Sequence, residues 1–330
     1  MNTHFAHMEL NEPVNLKTNQ FYDEVIAGLR STPKRLNSKY FYDANGDKLF
    51  QELMNCPEYY PTKCELEIFS KRTAEICKKM IADGDAFELI ELGAGDAMKS
   101  TCLLQYLLEQ KADFTYIPID ISENVISYLN ISLPLTLPGI KINGLNGEYF
   151  EMLKQAASNS DKRKVVLFLG SNIGNMPADK AIDFCSYLRR HLSKGDMVLI
   201  GMDLQKNPKT VLAAYNDKGG ITKRFNLNLL TRINRELNAD FDLTKFDHFP
   251  TYDPGTGACK SYLVSLEDQE VIVNGKERVQ FLKDECIYME ISQKFTVLQT
   301  EQMAEKAGFK PVDRFFDSKK WFVDAVWIAE

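Results

Sequence analysis

Apolar residues along this chain follow two rhythms, and the points where one gives way to the other mark its elements. Four short runs are apolar almost throughout: 87–92, 114–119, 164–169 and 197–202. Runs of that length, rich in β-branched and aromatic residues, predict strands buried on both faces. Between them the apolar spacing widens to three and four residues at 100–109, 122–129 and 180–191, which predicts helices. Strands alternating with helices predict a parallel sheet covered on both sides. The stretch 205–250 then reads as helical with its core from Tyr215 to Asn238. Residues 260–295 alternate with period two over 261–266, 270–273, 278–281 and 287–295. Asn274-Gly275 between two of these runs predicts a hairpin. The run 321–328 suits an antiparallel last strand of the main sheet, and residues 1–60 carry helical patterns and an aromatic, turn-rich segment. The predicted class is α/β: a Rossmann-like, doubly wound sheet domain (65–203 plus 296–330) interrupted by an inserted α+β domain (204–295), on which the segment 1–64 packs.

Composition narrows what such a fold does. With 330 residues and 44% hydrophobic content the chain can build a sizeable core. A net charge of −6 argues against a general nucleic-acid or membrane-surface binder, which shows a basic face. No apolar run approaches the roughly 20 residues of a membrane span. Met1 to Leu10 has no cationic stretch leading into an apolar one, so a cytoplasmic protein is expected. The seven cysteines are scattered without a C-x-x-C pair and read as reduced thiols. The four histidines have no metal-ligand spacing, so no metal site is expected. Nothing in the pattern demands an oligomer, and a monomer is expected.

Polar clusters sit where the predicted strands end: Gly93–Asp96, Asp120, Gly170–Asn175 and Asp203. Ligands of open α/β sheets bind at that edge. The sharpest cluster is Glu91-Leu92-Gly93-Ala94-Gly95, a turn between strand and helix. Glycine allows a sharp turn and close approach to a ligand, and the helix start offers free N–H groups. The third glycine of a dinucleotide fingerprint is missing, and no histidine near a strand end could relay a hydride, which weakens a nicotinamide reading. Glu91 before the glycines and an acid ending the next strand, Asp120, instead resemble the first motif of S-adenosylmethionine-dependent methyltransferases. Asp120 can accept both hydroxyls of a ribose; its plainer reading is an N-cap for 122–129.

Several further motifs occur together: Tyr40-Phe41-Tyr42-Asp43, Pro57-Glu58-Tyr59-Tyr60-Pro61-Thr62, Gly170-Ser171-Asn172-Ile173-Gly174-Asn175, Tyr215-Asn216-Asp217, 234–241 and Glu290-Ile291-Ser292-Gln293-Lys294-Phe295. From about residue 20 onward the chain resembles the histidine Nα-methyltransferases of ergothioneine biosynthesis. The resemblance implies methyl transfer from S-adenosylmethionine, leaving S-adenosylhomocysteine, to the α-amine of a free amino acid. It assigns Tyr42, Gly93, Gly95, Lys99 and Asp120 to the cofactor, with Glu148 and Tyr149 bordering the adenine. It places Asn175 and Tyr215 on the substrate carboxylate, Gly170 with its carbonyl near the amine, Tyr59, Glu290 and Ser292 around an imidazole, and Phe50 as an aromatic wall. Gly170, Asn175 and Tyr42 would form the catalytic centre.

The residue types suit these roles, each beside a plainer reading. Asn175 and Tyr215 are neutral donors fit for a carboxylate, although Gly174-Asn175 is turn-like by itself. Glu290 and Ser292, two apart on an alternating strand, share a face and could hold a ring N–H, or could face solvent. Tyr59 and Tyr60 read equally as core aromatics, and Lys99 as a helix-surface charge. Two positions depart from the family pattern: Asn172 replaces a threonine near the amine, and Ser261 replaces a methionine of the side-chain pocket, which predicts a roomier or more polar pocket. Histidine is the expected substrate. A tryptophan-like or modified amino acid, and a protein or RNA substrate, remain as alternatives.

Overall fold

The computed structural model describes residues 16–158 and 160–330. The reading of residues 1–10 and the start of the 1–64 segment lie outside that range. In chain order the helices are α1 (Leu16–Leu29), α2 (Ala44–Asn55), α3 (Tyr60–Met80), α4 (Ser100–Glu109), α5 (Glu123–Thr136), α6 (Tyr149–Ser158), α7 (Ala178–Arg190), α8 (Pro208–Tyr215), α9 (Ile221–Leu237) and α10 (Val297–Lys306). The strands are β1 (Phe87–Leu92), β2 (Phe114–Asp120), β3 (Leu145–Asn146), β4 (Arg163–Phe168), β5 (Met197–Asp203), β6 (Phe246–Asp253), β7 (Ala258–Ser265), β8 (Gln269–Val273), β9 (Glu277–Phe281), β10 (Cys286–Gln293), β11 (Phe309–Phe316) and β12 (Phe322–Ala329).

Seven strands form the main sheet in the order β11-β12-β5-β4-β1-β2-β3. The pairings from β5 to β3 are parallel, while β12 runs antiparallel to both β5 and β11. The order reverses between β1 and β4, so the carboxyl ends of those strands open a crevice. Period two divides each central strand between two cores. Phe87 and Leu89 of β1 pack with Phe69 of α3, Leu103 of α4 and Leu129 of α5. Ile90 and Leu92 pack with Leu153 of α6, Phe184 of α7 and Met303 of α10. This is an α/β sheet wound on both faces, as the alternation of runs predicts.

The remaining chain builds a third core. Strands β10-β7-β6 form one antiparallel sheet and β8-β9 a hairpin. The hairpin turns through Asn274 (φ 54°) and Gly275 (φ 63°), the left-handed conformations expected of that dipeptide. Leu263, Val273, Phe281 and Ile287 of these strands pack with Phe21 of α1, Leu49 of α2 and Leu229 of α9.

Two elements differ from the sequence reading. The helical stretch 215–238 is not continuous: α8 ends at Tyr215 and α9 begins at Ile221. Asp217 in the break accepts from the N–H groups of Ile221 and Thr222, both at 2.8 Å, so it satisfies the start of α9. Gly219-Gly220 beside it is the breaker signal that apolar spacing alone passes over. The helical reading of 205–250 also runs too far, since β6 begins at Phe246. The last strand pairs antiparallel with the main sheet as expected, β12 lying between β5 and β11.

Candidate active site

After β1 the chain turns through Gly93 and Gly95, both left-handed (φ 71° and 55°). Gly93 also supplies close approach: a Cβ there would lie 2.6 Å from Tyr149 Oη and 2.7 Å from Asn172 Nδ2. Asp120 pins this turn to β2. Its carboxylate accepts from the Gly95 N–H at 3.0 Å and the Ser122 N–H at 2.9 Å. The cap of α5 is Ser122, whose Oγ accepts from the Val125 N–H, so the capping role read for Asp120 falls to its neighbour. Asp120 lines a chamber with Glu91, Gly93, Gly95, Lys99 and Tyr149 and keeps lone pairs for a ligand there. Burial raises its carboxyl above the usual range. Glu91 is buried against Tyr116, whose Oη donates to it at 2.5 Å, and burial pushes it up to about 7. Glu148 stands outside this wall, its half-exposed carboxylate 3.3 Å from Lys39 Nζ.

Lys99 is not a surface charge. Its Nζ lies 2.6 Å from Glu65 Oε2 on α3, and Glu65 accepts the Gly170 N–H at 2.8 Å. Burial lowers the affinity of Lys99 for its proton, the facing Glu65 carboxylate raises it, and the net shift is upward. Asp324 of β12 is fully buried beside Glu65, with neither carboxyl oxygen holding a partner. Gly201 makes room for both: a Cβ there would overlap Glu65 Oε1 and come 3.0 Å from Asp324 Oδ1. Burial, then the charge of Glu65, pushes the Asp324 carboxyl far above its ordinary value. A raised carboxyl pKa means that the folded state holds a proton the unfolded chain releases above about pH 4. Its contribution to stability is therefore largest below that pH and falls as pH rises toward the folded pKa, by up to about 1.4 kcal/mol per pH unit. Asp324→Asn has no proton to lose. Its melting temperature, measured against the unsubstituted protein, is expected to gain several degrees between pH 5 and pH 8. A gap constant across that range would mean that Asp324 is ionised in the folded protein.

A second chamber continues inward. Tyr42, Phe50, Tyr59, Gly170, Asn172 and Asn175 line both, so the two meet at the carboxyl end of β4. The shared loop enters a 3₁₀ turn, Asn172–Asn175, through left-handed Ser171, whose Oγ accepts from the Asp203 N–H of β5 at 3.0 Å. An edge-to-face aromatic series forms one side: Tyr42–Phe50 at 5.7 Å, Phe50–Tyr59 at 6.5 Å and Tyr59–Tyr215 at 6.4 Å between ring centres. Burial raises the phenol pKa values of Tyr42, Tyr59 and Tyr215, so these rings present neutral hydroxyls. The adjacent Tyr60 belongs to the core instead, its Oη donating to Asp203 Oδ2 at 2.8 Å.

Glu290 and Ser292 face this inner chamber rather than solvent. Burial raises the Glu290 carboxyl, and hydrogen bonds from Ser261 and Asn226 draw it part of the way back. Ser261 stands behind Glu290, 1% exposed, with Oγ 3.2 Å from Glu290 Oε1. It is not among the residues lining the chamber and reaches it through Glu290.

The structure gives site roles to residues to which the sequence reading assigns none. Lys294 and Asp203 close the deep end of the inner chamber, and Lys206 and Tyr60 hold Asp203 from behind. Lys294 carried a usable signal, since the alternation joining Glu290 to Ser292 continues to it. Asp324 carried a weaker one, a carboxylate inside an otherwise apolar run. Glu65 carried none, because its partners lie 34 and 105 positions away along the chain. Among the described residues no group of three or more His, Cys, Asp or Glu is placed to hold a metal ion.

The sheet order, with an antiparallel strand set beside β5, and a chamber built on the ends of β1 and β2 put this chain among the S-adenosylmethionine-dependent methyltransferases. The cradle at Gly93 and the free lone pairs of Asp120 fit that cofactor. The chain belongs to the family of histidine-specific, S-adenosylmethionine-dependent methyltransferases, which matches residues 21–329. It is 37% identical over 288 residues to the histidine N-alpha-methyltransferase of Mycolicibacterium smegmatis, covering 87% of this chain and 88% of that one. It is 35% identical over 273 residues to the enzyme of the same name from Mycobacterium tuberculosis, covering 82% and 83%. Ergothioneine biosynthesis protein 1 of Schizosaccharomyces pombe is 28% identical over 288 residues, covering 85% of this chain and 37% of that longer protein.

Proposed function

We propose that this chain methylates the α-amino group of free histidine, three times in succession, to give trimethylhistidine. The observation that carries the reading is the shared wall. A chamber with two carboxylates, Asp203 paired with lysines and Glu290 turned to the ligand space, and several neutral hydroxyls opens onto the cofactor chamber at Gly170, Asn172 and Asn175. In this reading Asn175 and Tyr215 donate to the substrate carboxylate, and Glu290 and Ser292 hold the imidazole. Tyr59 and Phe50 pack on the ring, with Tyr42 and the Gly170 carbonyl beside the amine. Asp120 takes the ribose hydroxyls, Lys99, Gly93 and Gly95 hold the rest of the cofactor, and Glu148 and Tyr149 border its adenine.

The cofactor supplies an electrophilic methyl group. The protein holds the amine in line with it, and positioning of this kind accounts for large rate factors without a metal or a triad. The amine must shed its proton before each transfer and turn within the pocket between transfers. At subsaturating histidine, kcat/KM is expected to rise about tenfold per pH unit below the amine pKa and then level. A profile flat from about pH 6 to 10 would remove deprotonation from the limiting steps.

We also read residues 65–203 with 296–330 as the cofactor unit, and 1–64 with 204–295 as the substrate unit. Two observations support this division: the second group of strands has its own core, and no strand of it joins the main sheet. The acidic charge supports a free amino acid over RNA. Among the described residues no helix is long and apolar enough to cross a membrane, and we infer a cytoplasmic monomer. The test is incubation with S-adenosylmethionine and each of the twenty amino acids, followed by mass spectrometry. Histidine gaining three methyl groups is the expected result; methylation of another amino acid in its place would overturn the substrate assignment.

A further inference from the structure

Lys294 is 1% exposed and lies at the deep end of the inner chamber, immediately after β10. Its Nζ donates to Tyr215 Oη at 2.8 Å and to Ser292 Oγ at 2.8 Å, and lies 2.7 Å from Asp203 Oδ2. An ammonium has three donors and no acceptor, so these contacts use all of it. Asp203 is held in turn by Lys206 and by Tyr60 Oη at 2.8 Å, and the two lysines keep its carboxyl below the usual range against the effect of burial. The ammonium is therefore fixed in place and cannot turn away from the two hydroxyls.

That geometry bars the hydroxyl protons from pointing at the ammonium. Tyr215 Oη and Ser292 Oγ lie 2.6 Å apart. Both oxygens already accept from Lys294, and neither can donate to it. One proton bridges the pair and the other is free for the chamber. Each oxygen keeps one more lone pair, but neither proton can point at the ammonium, so a ligand entering between them meets two O–H donors, with the Asp203 carboxylate behind them already engaged by Lys294, Lys206 and Tyr60. Glu290, one alternation away on the same strand, is an acceptor-only group when ionised.

We propose that Lys294 is a positioning residue that locks Tyr215 and Ser292 as donors and so selects the substrate by its acceptors: a carboxylate oxygen for Tyr215 and an unprotonated ring nitrogen for Ser292, with the ring N–H left to Glu290. The inference rests on the histidine reading above and adds to it. A ring with an N–H and no bare nitrogen gives the Ser292 hydroxyl nothing to donate to except Tyr215, so it forfeits the hydrogen bond that an accepting ring nitrogen makes there, and that loss discriminates against it.

The test compares histidine with β-(2-pyrrolyl)alanine, which keeps an N–H but lacks the accepting nitrogen, in the unsubstituted protein and in Lys294→Gln and Lys294→Met. Glutamine offers an oxygen to which Ser292 can donate, and methionine releases both hydroxyls. Asp203 keeps Lys206 in either variant. The preference for histidine over the pyrrole analogue, as a ratio of kcat/KM, is expected to fall at least tenfold in both variants. Calorimetric affinity for S-adenosylhomocysteine should stay within twofold, because Lys294 does not line the cofactor chamber. A structural role would weaken both ligands and leave the ratio unchanged. A ratio within twofold of the unsubstituted protein in the folded variant overturns the proposal, whatever happens to KM. Should one variant fail to fold, the other decides. Failure of the unsubstituted protein to methylate histidine would instead overturn the reading on which this inference stands.

Discussion

Replacing Asp120 with alanine is expected to weaken S-adenosylmethionine binding by about 100-fold or more, the largest loss at any one position of the cofactor chamber. Two ribose hydroxyls would lose a charged acceptor, and hydrogen bonds to charged groups contribute about 1.5–3 kcal/mol each. The same carboxylate holds the Gly95 and Ser122 N–H groups, so the turn loosens as well as the ligand. A fall of a few degrees in melting temperature is expected to accompany the loss. At saturating cofactor, KM for histidine should move by less than about threefold, since Asp120 is absent from the inner wall. Calorimetric titration with S-adenosylhomocysteine checks the first figure. A loss under fivefold would remove Asp120 from the ribose.

Glu290→Ala is expected to produce the opposite pattern. It removes the acceptor for the imidazole N–H and raises KM for histidine by about 10- to 150-fold, the equivalent of one hydrogen bond to a charged group. Affinity for S-adenosylhomocysteine should stay within twofold, because Glu290 lines the inner chamber alone. Ser261 loses a hydrogen-bond partner in this variant, but it stands behind the carboxylate and can turn to another. Equal weakening of both ligands would make Glu290 a structural residue of β10. Steady-state kinetics with calorimetry separates the two cases.

Much of the main sheet was legible because its strands are short, nearly uniform apolar runs separated by helical spacing, and such runs leave few alternatives. The hairpin at Asn274-Gly275 was legible because its conformation is local. The break between α8 and α9 is not legible in apolar spacing: it rests on Asp217, which takes the first N–H groups of α9, and on left-handed Gly220, both of them backbone requirements. The strand β12 was read as antiparallel, yet its place inside the sheet depends on β11 covering it, a tertiary choice with no local mark. At the site, residues that work in their own strand or turn, such as Asp120, Glu290 and Ser292, could be located by position. Groups that matter through a partner far along the chain could not. Glu65 looks like any helix-surface glutamate until Gly201 is seen to leave space for it under Gly170. Ser261 reads as a wall residue by its place in the family pattern, whereas its hydroxyl addresses Glu290 from behind.

The wall shared by the two chambers has an evolutionary consequence. The main sheet gives the inner chamber little beyond the 170–175 loop and Asp203; the remaining lining comes from segments 42–61, 215–225 and 290–294. Segment 42–61 also borders the cofactor chamber, but mutations in 215–225 and 290–294, which line the inner chamber alone, can redraw substrate preference while the grip on the methyl donor stays intact. Selection on the amine acceptor is thereby uncoupled from selection on cofactor use, and a lineage built this way can explore new acceptors one substitution at a time without passing through a form that has lost its donor.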